Sequence, residues 1–323
     1  MYISIVAPIY NEEDNVEPLC QRLNEVLSQA GIEYEIILVD DGSTDNSWNK
    51  LVECAKLFKG LRLIRLRRNF GQTAAMTAGI DAARGDVIIT MDADLQNDPA
   101  DIPLLLQKME EGYDVVSGWR KDRKDPFLSR KFPSMIANAI IASITGVKLH
   151  DFGCTLKAYR REVMKNVRLY GEMHRFIPAL VYWVGGKTAE AVVSHHPRKY
   201  GKSKYGLSRT IRVLLDLITV SFLMRYSKSP IQMFGKIGIY LIGIGVLIFL
   251  FMIASHISYL LFHTMFAASL IKREFWIITP FMLIFFGIQF ISMGLLAEIQ
   301  IRTYYESQNK PIYTIRETFE PGK

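Results

Sequence analysis

An α/β fold with a mainly parallel sheet covered by helices on both faces is what this sequence predicts, on three observations. Short apolar, β-branched runs alternate with longer stretches of helical period from Ile3 to Val116. The runs are almost continuously apolar rather than alternating, as strands buried on both faces are. Acidic or polar turns follow three of them, at Tyr10-Asn11-Glu12-Glu13, Asp40-Asp41-Gly42-Ser43 and Asp92-Ala93-Asp94. Those are strand ends, where open parallel sheets gather their ligands.

Taken in order, strands are predicted at Ile3 to Val6, Ile36 to Val39, Leu61 to Leu66, Val87 to Met91 and Val115 to Val116. Helices are predicted between them at Asn15 to Ala30, Thr44 to Phe58, Thr73 to Ala83 and Pro99 to Glu111. From Lys121 to Tyr200 the periodicity weakens. Helices near Leu128 to Ile144 and Phe176 to Gly185, and a strand near Thr188 to Val193, are expected to close over a substrate. Tyr205 to Met224 is helical and amphipathic, with Arg209 and Arg212 beside Leu207, Ile211, Leu214 and Leu215. Such a segment lies in a lipid headgroup plane or packs as an ordinary surface helix.

No charged residue falls between Lys236 and Lys272, or between Glu274 and Glu298, gaps of 35 and 23 residues. A helix needs about 20 residues to cross the hydrocarbon core. Two crossings, at residues 235–262 and 275–297, are therefore expected to form a hairpin that leaves the C-terminus on the side of the N-terminal domain. The expected organisation is a catalytic domain over residues 1–204, interface helices over 205–232, the hairpin within 233–299 and a tail over 300–323.

The formal charge of +7 is uneven: nine Lys or Arg and one acid, Asp216, lie between Arg198 and Lys236. Basic side chains just before a crossing favour the cytoplasmic side and anionic headgroups. No recognised nucleic-acid motif accompanies the charge, so nucleic acid is not the expected partner. Cys20, Cys54 and Cys154 are odd in number and lack metal-ligand spacing, as buried free thiols in a reducing compartment would be. The chain opens almost directly on a strand, without a basic-then-apolar leader, so the N-terminal domain is expected to stay cytosolic.

Asp92 and Asp94 follow a buried-type strand and suit a hard divalent cation. Mg²⁺ in such sites takes one or two protein carboxylates and completes its shell with water and phosphate, which implies a phosphate-bearing substrate. Gly186-Lys187-Thr188 imitates the end of a P-loop, but Val181 stands where its first glycine is required. No GxGxxG follows the first strand, which weakens kinase, ATPase and dehydrogenase readings. The turn Asp40 to Asp45 caps the next helix or gives Asp41 to a nucleotide base or ribose, which is the preferred reading. Tyr10 is a candidate to stack on the base.

Taken together, Pro8-Ile9-Tyr10-Asn11-Glu12, Val39-Asp40-Asp41-Gly42-Ser43, Asn69-Phe70-Gly71, Asp92-Ala93-Asp94-Leu95-Gln96 and Gly118-Trp119-Arg120 closely resemble glycosyltransferase family 2. Asp151-Phe152-Gly153-Cys154 and the basic run Arg198 to Lys204 narrow the resemblance to the dolichyl/polyprenyl-phosphate glycosyltransferases. That resemblance implies a GT-A (Rossmann-like) fold, amphipathic interface helices and a two-helix transmembrane hairpin. It implies that Pro8, Tyr10, Glu12, Val39, Asp41, Asp92 and Ala93 line the nucleotide. Asp94 and Gln96, with Asp92 close by, would hold Mg²⁺ or Mn²⁺. Arg120, Arg198 and Lys204 match phosphate-contacting positions, while Arg130 and Ser134, four residues apart on one helix face, match positions near the lipid phosphate.

The implied reaction moves a sugar from a nucleotide-diphosphate donor, with uridine favoured over guanosine, to polyprenyl phosphate with inversion. Asp151 is the position the family offers for a base. A phosphomonoester has its second pKa near 6, so the nucleophile is already largely dianionic at neutral pH, and Asp151 is expected to position substrate first. The stretch Asp151 to Tyr159 is nearest to the amino-arabinose type. The resemblance also implies a cell-membrane location with both termini cytoplasmic, and a tetramer. A processive polysaccharide synthase is the alternative within the family, but no Trp lies in a Gln-x-x-Arg-Trp motif. A non-catalytic sugar-nucleotide binder is the alternative outside catalysis, and the intact Asp92, Asp94, Gln96 and Arg120 speak against it.

Overall fold

The computed structural model describes residues 1–121, 132–171, 173–197, 215–220 and 311–321, with scattered helical positions between 254 and 307. The chain divides into two compact units, Met1–Met224 with Pro311–Lys323, and Arg225–Lys310. Among the described residues no helix is long and apolar enough to cross a membrane. Most of the two segments expected to do so lies outside those residues.

The first unit is built on an eight-stranded sheet of order β7-β5-β6-β4-β1-β2-β3-β8. Its strands are β1 (Tyr2–Ile9), β2 (Glu33–Asp40), β3 (Leu61–Leu66), β4 (Val87–Thr90), β5 (Val115–Trp119), β6 (Lys157–Arg160), β7 (Thr188–Val192) and β8 (Ile315–Phe319). β1 to β4 are mutually parallel where they pair, as are β5 and β7, whereas β6 and β8 run against their neighbours. The helices between the first strands are α1 (Glu13–Gln29), α2 (Ser47–Leu57), α3 (Gln72–Ala82) and α4 (Ile102–Glu110). They follow the predicted boundaries to within three residues, apart from a 3₁₀ turn, Pro99–Asp101, that precedes α4. Later come α5 (Phe132–Thr145), α6 (Arg161–Met164) and α7 (Ile177–Trp183).

Two apolar clusters cover the two faces of the sheet. One packs Ile3, Ile5, Leu38 and Ile89 against α1, α2 and α4, and the other packs Val6, Ile37, Val39 and Ile88 against α3 and α7. Gly79 lets α3 lie close to the sheet, since a Cβ there would stand 2.3 Å from Val6 Cγ1. Residues 215–220 are helical, and Leu217 and Val220 are buried in the second cluster, so this part of the predicted amphipathic segment packs on protein.

Two strands escaped the sequence reading. β6 carries Lys157 at its start, 2% exposed, and a lysine at a core position breaks the apolar run by which a buried strand is read. β8 lies in what the sequence suggested was a tail. It is a charged edge strand, Ile-Arg-Glu-Thr-Phe, paired with β3 some 250 residues earlier and closed by Arg65–Glu317 and Arg84–Glu320 ion pairs at 3.0 and 3.1 Å.

At the amino ends of the strands, Glu35 is buried and takes three donors: Ser4 Oγ at 2.6 Å, Arg84 N at 2.6 Å and Arg62 Nη1 at 2.5 Å. Removing one member of a buried ion pair leaves the other uncompensated, at about 3–5 kcal/mol. Glu35→Ala should therefore lower the unfolding free energy by about that amount in denaturant titrations. The activity of the folded fraction should be unchanged, because Glu35 sits at the sheet edge opposite the strand ends described next.

Candidate active site

β1 has β2 on one side and β4 on the other, and the chain reaches β4 only after passing through β3. This reversal of strand order opens a crevice beyond the carboxyl ends of β1 and β4. The register sets Pro8 beside Val39 and Val6 beside Thr90, so the turns after β1, β2 and β4 emerge together.

The first two turns are sewn to each other. Asn11, at φ 49°, accepts the Thr44 N–H on Oδ1 at 2.8 Å, and its own N–H donates to Ser43 Oγ at 2.9 Å. The Glu12 N–H donates to Ser47 Oγ at 3.0 Å, and Glu12 Oε2 accepts from Asn15 Nδ2 at 2.6 Å at the start of α1. Gly42 adopts φ +67°, and a Cβ there would lie 2.4 Å from the Arg68 carbonyl carbon. Only glycine fits this turn. Asp40 is fully buried, with Arg65 Nε 3.3 Å away.

Asp41 is 3% exposed, and its two oxygens accept the N–H groups of Phe70 and Gly71 at 2.8 and 2.9 Å. It thus braces the turn before α3, a task distinct from both helix capping and a nucleotide contact. Burial pushes its carboxyl up to about 6, against the two N–H donors. Val39 and Ala93, expected to line the nucleotide, have side chains in the core, 0% and 5% exposed. Both residues are closed off from solvent. Pro8, Tyr10, Glu12 and Asp92 are half-buried around the crevice.

After β4, Asp92 Oδ1 accepts Gln72 Nε2 at 2.7 Å. Asp94 is nearly buried, and its Oδ1 accepts the Gln96 N–H at 3.2 Å across Leu95, which sits at φ 60°. Positive φ at a leucine is strained, as residues at functional turns often are. Asn97 bridges His195, and the His196 N–H donates to the Gln96 carbonyl at 2.9 Å, pinning this loop from the far side. Among the described residues no group of three His, Cys, Asp or Glu converges on one point. Two carboxylates and an amide suit Mg²⁺ or Mn²⁺ completed by substrate phosphate, rather than zinc.

Beyond β5, Arg120 and Asp151 hold each other: Nε to Oδ2 at 2.7 Å and Nη2 to Oδ1 at 3.0 Å. Oδ1 also accepts the Gly153 N–H at 3.0 Å. Burial works against the Arg120 charge, but the Asp151 carboxylate outweighs it and the guanidinium is held more firmly protonated. Below this pair, Lys157 Nζ donates to the Phe152 carbonyl at 3.1 Å. Burial, with Arg175 and Arg120 nearby, brings its pKa down to about 8. The Glu190 carboxylate accepts the His150 and Asp151 N–H groups at 2.7 and 3.1 Å, and His150 stacks on Trp119 at 4.2 Å. Arg130, Arg198 and Lys204 lie outside the described residues, as does the side chain of Ser134 in α5.

The profile of glycosyl transferase family 2 matches residues 4–168, and similarity to individual members extends over almost the whole chain. The chain belongs to this family. The dodecaprenyl-phosphate galacturonate synthase of Rhizobium johnstonii is 46% identical over 98% of this chain and 93% of its own. The undecaprenyl-phosphate 4-deoxy-4-formamido-L-arabinose transferase of Proteus mirabilis is 38% identical over 97% and 93%. Among solved structures, glucosyl-3-phosphoglycerate synthase from Mycobacterium tuberculosis, with Mn²⁺, UDP and glucosyl-3-phosphoglycerate, superposes at TM-score 0.51 and 18% identity, covering 69% of this chain and 79% of that one. The mannosyltransferase PcManGT of Pyrobaculum calidifontis gives a TM-score of 0.50 at 16% identity over 68% and 62%. These two likenesses establish the GT-A-like fold.

As a glycosyl transferase family 2 member the chain is an enzyme, and its crevice joins an acidic half, Asp41, Asp92 and Asp94, to a basic half around Arg120. Sequence reasoning missed Gln72, Lys157 and Glu190, which hold Asp92, the Phe152 carbonyl and the His150–Asp151 main chain. Glu190 and Gln72 gave no signal, standing in ordinary polar contexts. Lys157 had one, a charge three residues beyond Cys154 that the surrounding pattern wants apolar.

The Asp41 carboxyl titrates near 6 in the fold and near 3.8 when unfolded, so the native state holds more protons between those values. Its contribution to stability is therefore largest below 3.8 and declines as pH rises through about 6. Urea midpoints measured from pH 4 to 7 should show Asp41→Asn losing that part of the slope relative to the parent.

Proposed function

We propose that this transferase moves a sugar from a uridine-diphosphate donor to the phosphate of a polyprenyl lipid, giving a polyprenyl-monophosphate sugar. The carrying observation is the 46% identity over 98% of the chain to a dodecaprenyl-phosphate galacturonate synthase, joined to an acidic and a basic half in one crevice. Asp94 and Gln96, with Asp92 beside them, would hold Mg²⁺ or Mn²⁺, which supplies charge neutralisation for a departing diphosphate. Pro8, Tyr10, Glu12 and Asp92, half-buried at the strand ends, receive the nucleoside. Arg120, with Arg198 and Lys204 from the basic run, offsets repulsion between two anionic substrates.

Asp151 orients rather than deprotonates. Its oxygens are already taken by Arg120 and Gly153, and a phosphomonoester with its second pKa near 6 needs no base at neutral pH. The acceptor phosphate displaces the diphosphate at the anomeric carbon directly, with inversion. Galacturonate and 4-deoxy-4-formamido-L-arabinose, named in two relatives, share ring configuration at carbons 2 to 4 and differ in the carbon 4 substituent, hydroxyl against formamido, and in the carboxylate that only galacturonate carries on carbon 5. We propose a sugar of that configuration, with the uronate form preferred over the amino-arabinose type because the galacturonate synthase is the more similar of the two. With a lipid acceptor we propose an inner-membrane location and a cytoplasmic catalytic domain, residues 235–262 and 275–297 as the crossings, and Arg130 and Ser134 as contacts of the lipid phosphate.

Purified enzyme offered UDP-galacturonate, UDP-glucuronate, UDP-glucose and UDP-4-deoxy-4-formamido-L-arabinose with undecaprenyl phosphate should yield a galacturonosyl lipid by mass spectrometry. A product only with glucose would overturn the sugar assignment. Chelation should abolish transfer, and either Mn²⁺ or Mg²⁺ should restore it. Because Arg120 and Asp151 act as one unit, Arg120→Met, Asp151→Asn and the double variant should lose similar amounts of kcat/KM, as coupled residues do. Additive losses would separate their roles.

A further inference from the structure

Gln72 opens α3 and reaches across to the end of β4, where its Nε2 donates to Asp92 Oδ1 at 2.7 Å. The turn that carries it is fixed on three sides. Asp41 accepts the N–H groups of Phe70 and Gly71. Thr73 Oγ1 lies 2.7 Å from His174 Nδ1, both buried. Gly79 lets the same helix lie close against Val6 and Val39. The fixed turn sets where the glutamine starts, and the bond to Asp92 holds the carboxylate to that anchor.

The choice of donor also has a consequence. A lysine or arginine here would neutralise Asp92 and compete with a cation. An amide holds one oxygen in place and leaves the negative charge intact. Asp92 also lies close enough to Arg120 to strengthen its charge, so the orientation of this carboxylate affects both halves of the crevice.

We infer that Gln72 is a positioning residue that fixes the Asp92 carboxylate for the metal-bound nucleotide, and that the turn 69–73 ties Asp92 to Asp41 as one unit. The inference rests on the proposed assignment of Asp92 to the nucleotide and metal site. It assigns a task to a residue that carries none of the chemistry itself.

The test uses the full-length enzyme and titrates UDP with Mn²⁺ calorimetrically, alongside separate KM values for nucleotide sugar and lipid phosphate. Gln72→Glu keeps the size of the side chain but, when ionised, removes the donor and sets a second charge against Asp92. Gln72→Met removes the donor without adding charge. A hydrogen bond to a charged group predicts about tenfold weaker UDP·Mn²⁺ binding in Gln72→Met and a larger loss in Gln72→Glu. The KM for lipid phosphate should stay within about twofold. Unchanged UDP·Mn²⁺ affinity in Gln72→Met, or a loss that falls equally on the lipid, would overturn the inference. Asp92→Asn serves as the reference. If it weakens binding and Gln72→Met does not, the role of Gln72 alone fails; if Asp92→Asn also binds normally, the assignment of the site fails with it.

Discussion

The site depends on parallel pairing of β1 with two neighbours reached at different times along the chain, β2 directly and β4 after a detour through β3. Parallel strands need crossover helices, and the hand of those crossovers puts successive helices on one face until the strand order reverses. At the reversal the helices part and the strand ends are left uncovered. Tyr10, Asp41, Asp92 and Asp94 are near one another for that reason, although up to 84 residues separate the first from the last in sequence. A slip of one residue in β4 would exchange Ile88 and Ile89 between the two covered faces and send the following carboxylates to the opposite face of the sheet.

Such crowding of acids is unfavourable unless each is occupied. Asp40 faces Arg65, Asp41 is bonded to backbone amides, Asp92 takes an amide, and Asp94 closes its own turn. Across the crevice Arg120 faces Asp151 above a buried Lys157. Buried charge of either sign is tolerated because it is matched locally by hydrogen bonds. The result is a crevice whose polar groups are already oriented before any substrate arrives. A glycosyl transfer between two anions needs that kind of preorganisation, since reorienting dipoles during the reaction would be costly.

How much of this could be read beforehand varied with the physics involved. The first five strands and four helices were legible because each buries a face whose period survives in the sequence, as Leu61 to Leu66 does residue for residue. The Asp92-Ala93-Asp94 turn was legible as a strand end because it directly follows the apolar run from Val87 to Met91. Val39 and Ala93 stand at the strand ends as read, but the burial of both residues was not visible in the sequence, where an apolar residue beside an acidic turn looks the same buried or exposed. β6 was hidden by Lys157, whose burial depends on a carbonyl five residues earlier in a loop with no periodicity. Gln72 was hidden for a related reason: its partner stands on another strand, and nothing local marks a glutamine at the start of a helix as unusual.

β8 has a consequence for how the molecule is made. Until its residues leave the ribosome, β3 presents an open edge of unpaired amides and carbonyls, the kind of surface on which chains aggregate. The strand that covers it follows residues 225–310 in sequence, so that segment must have been synthesised before the sheet can be finished. A chain that stops before Ile315 is therefore left with the β3 edge uncovered and its ladder of amides and carbonyls unpaired.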